Sequence, residues 1–421
     1  MADARIYPFL DWIDVWPGQS GRDQGGHTFF QDAAHGVRLQ IQEAVKSPVF
    51  FTREKPWERQ HFNHMIVRRD EGRYRMWYSA MASNDPTECF ICYAESDDGF
   101  NWVRPELGLY EFGSSKANNI LFDHSFFGCH SIYVDEFAPA DERYKSIDGH
   151  LQLYKKGKRV PGTRQNKLEI REIRRAMDVQ GYKPKDIAAE ADTRWVVRGA
   201  VSSDGMRWHV LDEALVEVPP ALDTQNVLAF DEDSGEYMVY LRGSLERRRS
   251  LRRTGGPQFG DWPQPRLVFT PDPQDPVSDS IYNSAYCRCP SSGRHLMFPS
   301  IYHQVAATTD IQLASSWDGW NWTRPERRPI VTCETEEGAY SCIYAAPCIL
   351  ELGDGWGVPY HGNHHLHDWA GWPDAEVIDG EYRWAQWQPE RLCALEAREH
   401  GGFTTVEREC QGDRLRLNFK T

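Results

Sequence analysis

The side chains able to do acid–base chemistry recur at one kind of position, just ahead of apolar, strand-like runs. Asp223 stands in Leu222-Asp223-Thr224-Gln225-Asn226, before Val227 to Phe230. Asp279 stands in Ser278-Asp279-Ser280-Ile281-Tyr282-Asn283, before Ser284 to Arg288. Glu336 and Glu337 precede Tyr340 and the run Ile343 to Leu350. Two histidines sit at matching places: His64, after Asn63 in Phe62 to Val67, and His130, after Cys129 and ahead of Ser131 to Val134. Two carboxyl groups on facing elements can divide the work of acid and base if their surroundings keep one of them protonated. A single histidine at such a place is usually a satisfied structural residue. Two at equivalent places are candidates for ligand contact, proton transfer or metal binding.

Other polar residues gather at the same places. Asp223 has three polar neighbours, Thr224, Gln225 and Asn226, where capping a turn needs only one such side chain. Arg242 ends the strand-like run Tyr237 to Leu241 and suits either an anionic group or a salt bridge. The run His361-Gly362-Asn363-His364-His365-Leu366-His367-Asp368 offers polar contacts to a ligand, with a metal site as the alternative.

The elements that must carry these residues are marked by a repeat. Ser96-Asp97-Asp98-Gly99-Phe100-Asn101-Trp102, Ser202-Ser203-Asp204-Gly205-Met206-Arg207-Trp208 and Ser316-Trp317-Asp318-Gly319-Trp320-Asn321-Trp322 all read S-x-D-G-x-x-W. Asp-Gly supplies the positive φ of a tight hairpin turn, and the Trp re-enters a sheet. The copies start 106 and then 114 residues apart, and a propeller blade needs only about 40 to 50. Degenerate turns fill the gaps. One is Gly255-Gly256 with Phe259-Gly260-Asp261-Trp262, after Ser250 to Thr254. The other is His400-Gly401-Gly402-Phe403, after Leu392 to Ala397. A strand pair precedes each turn. The chain therefore reads as all-β, a five-bladed β-propeller over residues 61–412. Residues 1–60 form a strand-containing extension (Arg38 to Gln42, Val49 to Phe51) that packs on or closes the ring, and residues 413–421 form a last strand. One segment breaks the pattern: Lys167 to Gln180 has helical spacing inside an insertion, 155–194, in the second blade.

Composition narrows the partners. The net charge of −14 argues against nucleic acid. Residues 155–194 alone carry twelve Lys/Arg against six Asp/Glu, so this basic insertion is expected either to cover the funnel rim or to dock on a second subunit. No run approaches a membrane span. The first residues lack the pattern of a signal peptide, which predicts a cytoplasmic protein with reduced thiols. The ten cysteines lack metal-ligand spacing; Cys287 and Cys289 are too close in sequence for a paired site.

Several stretches carry a family likeness: Tyr74-Arg75-Met76-Trp77-Tyr78, Tyr93 to Trp102 running on to Arg104-Pro105-Glu106-Leu107-Gly108-Leu109-Tyr110, Asn118-Asn119-Ile120, Glu142-Arg143-Tyr144-Lys145, Asp223-Thr224-Gln225-Asn226, and Leu296-Met297-Phe298-Pro299-Ser300. On these the chain resembles the five-bladed propeller glycosidases of the arabinanase, invertase and levansucrase type, closest to a bacterial group of invertase-like hydrolases. The likeness implies a glycoside hydrolase acting on a short oligosaccharide in the central funnel. Its catalytic candidates are Asp223, Asp279, Glu337, His130 and His64. Its sugar contacts are expected from Asn63, Gln225, Asn226, Arg242, Tyr282, Asn283, Tyr340, His361 and His364. No cofactor is required, and a divalent cation in the funnel is the alternative use of the histidines. The glycosidases place acids at the inner strands of their first three blades, whereas this chain has Asn63-His64 and Cys129-His130 at the first two. That departure keeps a glycan lyase, working on a uronic acid through His and Tyr, as the second reading. A non-catalytic sugar-binding propeller is the third. Asn84-Asp85-Pro86 echoes an invertase motif but falls in a hairpin loop.

Overall fold

The computed structural model describes residues 6–83, 85, 88–156, 158–160, 191–219, 222–333, 340–367, 380–408 and 416–419. Apart from three single-turn 3-10 helices the described residues are strands, turns and loops. The sheets are antiparallel meanders arranged as a β-propeller. Strands such as Cys89–Ser96 are buried almost throughout, because each sheet is covered on both faces by its neighbours. This is why the sequence there reads as continuous apolar runs instead of alternating ones.

Four meanders stand as separate sheets. The first runs His61–Asp70, Arg73–Met81, Cys89–Ser96, Trp102–Val103. The second runs Ser131–Val134, Tyr144–Lys155, Ala191–Ser202, His209–Val210. The third runs Val227–Asp231, Glu236–Leu245, Arg248–Gly256, Arg266–Phe269, with the degenerate turn at Gly260 between its last two strands. The fourth runs Tyr286–Arg288, His295–Met297, Ala314–Ser316, Trp322–Thr323.

The expected count of five is corrected here: hydrogen bonding sets apart four blades. The remaining strands share one eight-stranded sheet, which includes Asp279–Ile281, Ser300–His303, Thr308–Ile311, Cys342–Ala345, Gly355–Asn363, Glu381–Trp387 and Val45–Lys46. Two local features divide the fourth group between two sheets. Ala285 takes a left-handed φ of 40° and interrupts the inner strand. Pro299, which has no N–H to donate, interrupts the next. The halves nearer the funnel then join the following group through the parallel pair Thr309↔Cys342.

Three further expectations are corrected. Leu392 to Ala397 is not a blade strand. It belongs to Cys393–Gly402, which pairs with His35–Ile41 in a separate two-stranded sheet. Glu381–Trp387 takes its place, and Val45–Lys46 from the N-terminal extension is added at the edge. Val49 to Phe51 makes only a single bridge, Phe51 to Tyr382. Residues 416–419 form no strand; Leu417 and Phe419 are exposed, and their alternation finds no sheet edge. The helix expected over Lys167 to Gln180 lies outside the described residues, as does most of the insertion.

The S-x-D-G-x-x-W pattern is a complete turn. The Ser96 hydroxyl accepts from Gly99 N–H at 2.9 Å. Asp98 Oδ1 accepts from Phe100 and Asn101 N–H at 2.8 and 2.7 Å. Gly99 has φ of 80°, and the Trp102 indole donates back to its carbonyl at 2.8 Å. Ser202 to Trp208 and Ser316 to Trp322 repeat these bonds. Each turn is also held by an aromatic residue from another sheet: Trp384 to Gly99, Trp77 to Gly205 and Tyr240 to Gly319.

Inside the ring, polar side chains tie inner strands together. Arg68 donates to the carbonyls of Ile132 and Pro347, and Gln225 to those of Met65 and His130. These bonds fix the inner strands that carry the candidate chemistry.

Candidate active site

Irregular backbone marks the places where inner strands meet the funnel. The pairing of the first two strands slips between Phe62 and Met65, which turns out Asn63 and His64. Cys129 has φ of 46° just before His130, and Ala285 has its left-handed kink close to Tyr282. Bulges and strained residues of this kind gather where a side chain must be re-aimed.

A cavity of about 150 Å3 opens there. It is lined by His61, Asn63 and His64, by Tyr282, Cys342 and Tyr344, and by His361, Asn363, His365 and His367. Tyr344 stacks on His361 with ring centroids 4.9 Å apart at 19°. The edge of His64 meets His130 at 5.7 Å. Burial, followed by the nearby imidazoles of His130, His361, His124 and His61, holds His64 well below the usual histidine range. His64 is therefore neutral near pH 7 and suits a base or a hydrogen-bond partner better than an acid.

His130 is held differently. Its Nδ1 lies 3.2 Å from Gly149 N–H and 3.1 Å from Asn226 Nδ2. Both groups can only donate, so Nδ1 accepts and the proton sits on Nε2. Burial, helped by Arg198 and opposed by Asp148, lowers its pKa as well. His130 is 6% exposed, and it fixes Asn226 in place behind His64.

The carboxylates fall into three situations. Asp223 is half-exposed and pairs with the Arg242 guanidinium; its charge is felt at both His130 and Tyr282. Asp279 is buried and committed within its own sheet. His303 bridges it to Asp310, with Nδ1 3.0 Å from Asp279 and Nε2 3.0 Å from Asp310. The hydrogen bond to Asp310 leads in pushing His303 up to about 9, while burial raises Asp310. Glu337 lies outside the described residues, as does Glu336.

Among the expected sugar contacts, Asn63, Tyr282 and His361 line the cavity with His64. Gln225 braces inner strands, and Asn226 ties its own turn by donating to the carbonyls of Leu222 and Thr224. Asn283 accepts from Ser300 N–H at 2.9 Å. Tyr340 donates to Glu381 and accepts from Arg383, with His364 packed on its ring at 4.8 Å. Sequence reasoning missed His61, Cys342, Tyr344 and Arg249. Two-residue alternation from Asn63 points to His61, whereas Tyr344 sits unmarked in an apolar strand. Among the described residues no three His, Cys, Asp or Glu side chains form a group able to hold a metal ion. The nine described cysteines are free thiols. No described helix is long and apolar enough to cross a membrane.

No protein-family model matches the chain, and no curated protein matches it. Solved structures do. One, a complex of BT0996 with RGII, is 11% identical with a TM-score of 0.50, covering 83% of this chain and 93% of that protein. A second, described as a glycoside hydrolase, is 10% identical with a TM-score of 0.48 over 83% and 93%. A thermostable family-43 glycoside hydrolase is 11% identical with a TM-score of 0.46 over 84% and 96%. At such identities the likeness concerns the fold alone, an all-β propeller.

Proposed function

We propose that the protein is a carbohydrate-active enzyme, a glycoside hydrolase that takes the end of a short oligosaccharide into the cavity between His64 and Tyr344. The observation that carries this reading is the cavity itself. It lies where inner strands are kinked toward the funnel, and imidazole, phenol and amide groups surround it. These are the groups that bind sugar hydroxyls and stack on sugar rings. The family resemblance of the sequence, to the propeller glycosidases, supports the class.

Hydrolysis needs two carboxyl groups. Asp223, half-exposed and with its charge felt at His130 and Tyr282, is assigned the role of nucleophile or base. The partner acid is assigned to Glu337, five residues ahead of Cys342 in the cavity wall; Asp279 is the alternative, and its bond to His303 argues for a structural role. The test is incubation with a panel of short oligosaccharides, read as new reducing ends, for the wild type, Asp223→Asn and Glu337→Gln. Loss of at least two orders of magnitude in each variant is expected. Unchanged turnover in Asp223→Asn would remove that residue from the mechanism.

One observation favours a second reading, an eliminating lyase. Among the described residues no carboxylate lines the cavity, while neutral His64 and the Tyr344 phenol both do. A histidine base and a phenol acid suffice to remove the proton beside a uronic acid carboxylate and release the leaving sugar. The product would be unsaturated and absorb in the ultraviolet, which a hydrolysis product does not.

A further inference from the structure

Among the described residues Arg249 is the unbalanced charge beside the cavity. It leaves the third sheet and lays its guanidinium over two tyrosines, 4.7 Å from the Tyr282 ring centroid and 4.8 Å from that of Tyr302. Its Nη1 lies 3.3 Å from His367 Nε2. Tyr282 and His367 both belong to the cavity wall. No described carboxylate pairs with Arg249, whereas neighbouring Arg242 is matched by Asp223. Arg248 spends its donors on the carbonyls of Asp279 and Pro276.

The hydrogen bonds running from Arg249 have a direction. A guanidinium can only donate, so His367 Nε2 accepts and the imidazole proton sits on Nδ1. That proton points to Tyr344 Oη, 2.9 Å away. Tyr344 accepts it, which turns its own hydroxyl hydrogen elsewhere. Burial keeps this phenol protonated through the ordinary pH range. The wall beside Arg249 thus holds a cation that no described carboxylate pairs with, next to a protonated phenol.

We propose that the cavity selects a carboxylate-bearing sugar, a uronic acid unit, and that Arg249 supplies the countercharge while its stack on Tyr282 and Tyr302 fixes the plane of the guanidinium fork. This rests on the reading above that the cavity takes carbohydrate. A guanidinium with one of its five N–H groups given to His367 keeps a fork free for a carboxylate. Stacking on two rings costs it little hydration and holds its orientation.

The experiment is an equilibrium titration, by calorimetry, with uronic-acid oligosaccharides (galacturonate and glucuronate series) and the same preparations after reduction of their carboxyl groups to alcohols. The acid forms are expected to bind and the reduced forms to bind at least tenfold more weakly, with affinity falling as salt is raised. Arg249→Met should lose roughly tenfold or more in affinity for the acid forms and none for the reduced ones, with Arg249→Lys between. Because Met can disturb the tyrosine stack, the comparison of acid and reduced sugars on the unaltered protein stands by itself. Equal binding of the two forms, no binding of either, or tighter binding of matched sugar phosphates would overturn the proposal. The titration needs no turnover. A protein that binds uronates and cleaves nothing would refute the enzymatic reading alone. One that cleaves neutral oligosaccharides, with Arg249→Met at full rate, would refute this one alone.

Discussion

The indole N–H of Trp77, in the first sheet, donates to the carbonyl of Gly205, 2.7 Å away and 128 residues further along the chain. The same carbonyl accepts from Trp208 within its own turn. The repeated turn is therefore a hairpin and also a latch between sheets, and the ring is closed by bonds of this kind as well as by apolar packing. Trp77→Phe keeps most of the buried ring and removes the donor. It should cost about 1 kcal/mol in denaturant unfolding. Gly205→Ala should cost more, because φ is 74° and a Cβ would come within 2.9 Å of the Trp77 ring; about 2 kcal/mol or more is expected.

Acid should loosen these turns. Backbone N–H groups, led by Asn101, hold Asp98 below the usual carboxylate range; the corresponding bonds outweigh burial to lower Asp204 and bring Asp318 to about 2. Lowered carboxylates contribute stability above their unfolded value, near 3.8, and the contribution is lost as pH falls through the folded one. The melting temperature should drop steeply below pH 4, and less steeply in Asp318→Asn than in the wild type. Parallel curves for the two proteins would contradict this.

The opposite sign applies to His303. Its folded value, about 9, lies above the ordinary histidine value of 6.5. The stability it adds is fully present below pH 6.5 and lost as pH rises through 9. Asp279→Asn should remove part of that alkaline slope and lower the melting temperature near neutrality. If instead Asp279→Asn abolishes turnover with an unchanged melting temperature, Asp279 belongs to the chemistry and His303 serves it.

His64 and His130 should separate in the same way. His64→Gln is expected to weaken ligand binding or turnover at least tenfold with little change in melting temperature, because His64 lines the cavity. His130→Gln should lower the melting temperature by several degrees, because the buried imidazole leaves its place and the bonds from Gly149 N–H and Asn226 Nδ2 to its Nδ1 are lost. Equal thermal effects in both variants would show that the two histidines have one structural role.

Much of the fold was legible because turn chemistry is local. Asp98, Gly99 and Trp102 satisfy one another within seven residues, so each copy of the motif marks a strand end wherever it lies. The blade count was not, because it depends on which strand finds which. Leu392 to Ala397 has an apolar pattern suited to a blade, yet its partner is His35–Ile41. Val45–Lys46 carries little signal of its own and becomes a strand only beside Ala385 and Gln386.

The sequence by itself determined an all-β propeller and the turns that space it; it pointed to Asn63, His64, Asp223 and Tyr282 near inner-strand starts and to His361 at the end of a second strand. These follow from local turn chemistry and from the alternation of side chains along a strand. Only the tertiary structure decided what each of them meets. Asp223 and Arg242 are 19 residues apart, and that pair was open to sequence reading; Asp279 with His303, His64 with His130, and Arg249 with Tyr282 and His367 were not. The first of these is set by strand register within one sheet, and the other two by how kinked strands from separate sheets pack around one axis. The charge a side chain carries in the folded protein depends on those neighbours and on the water they exclude.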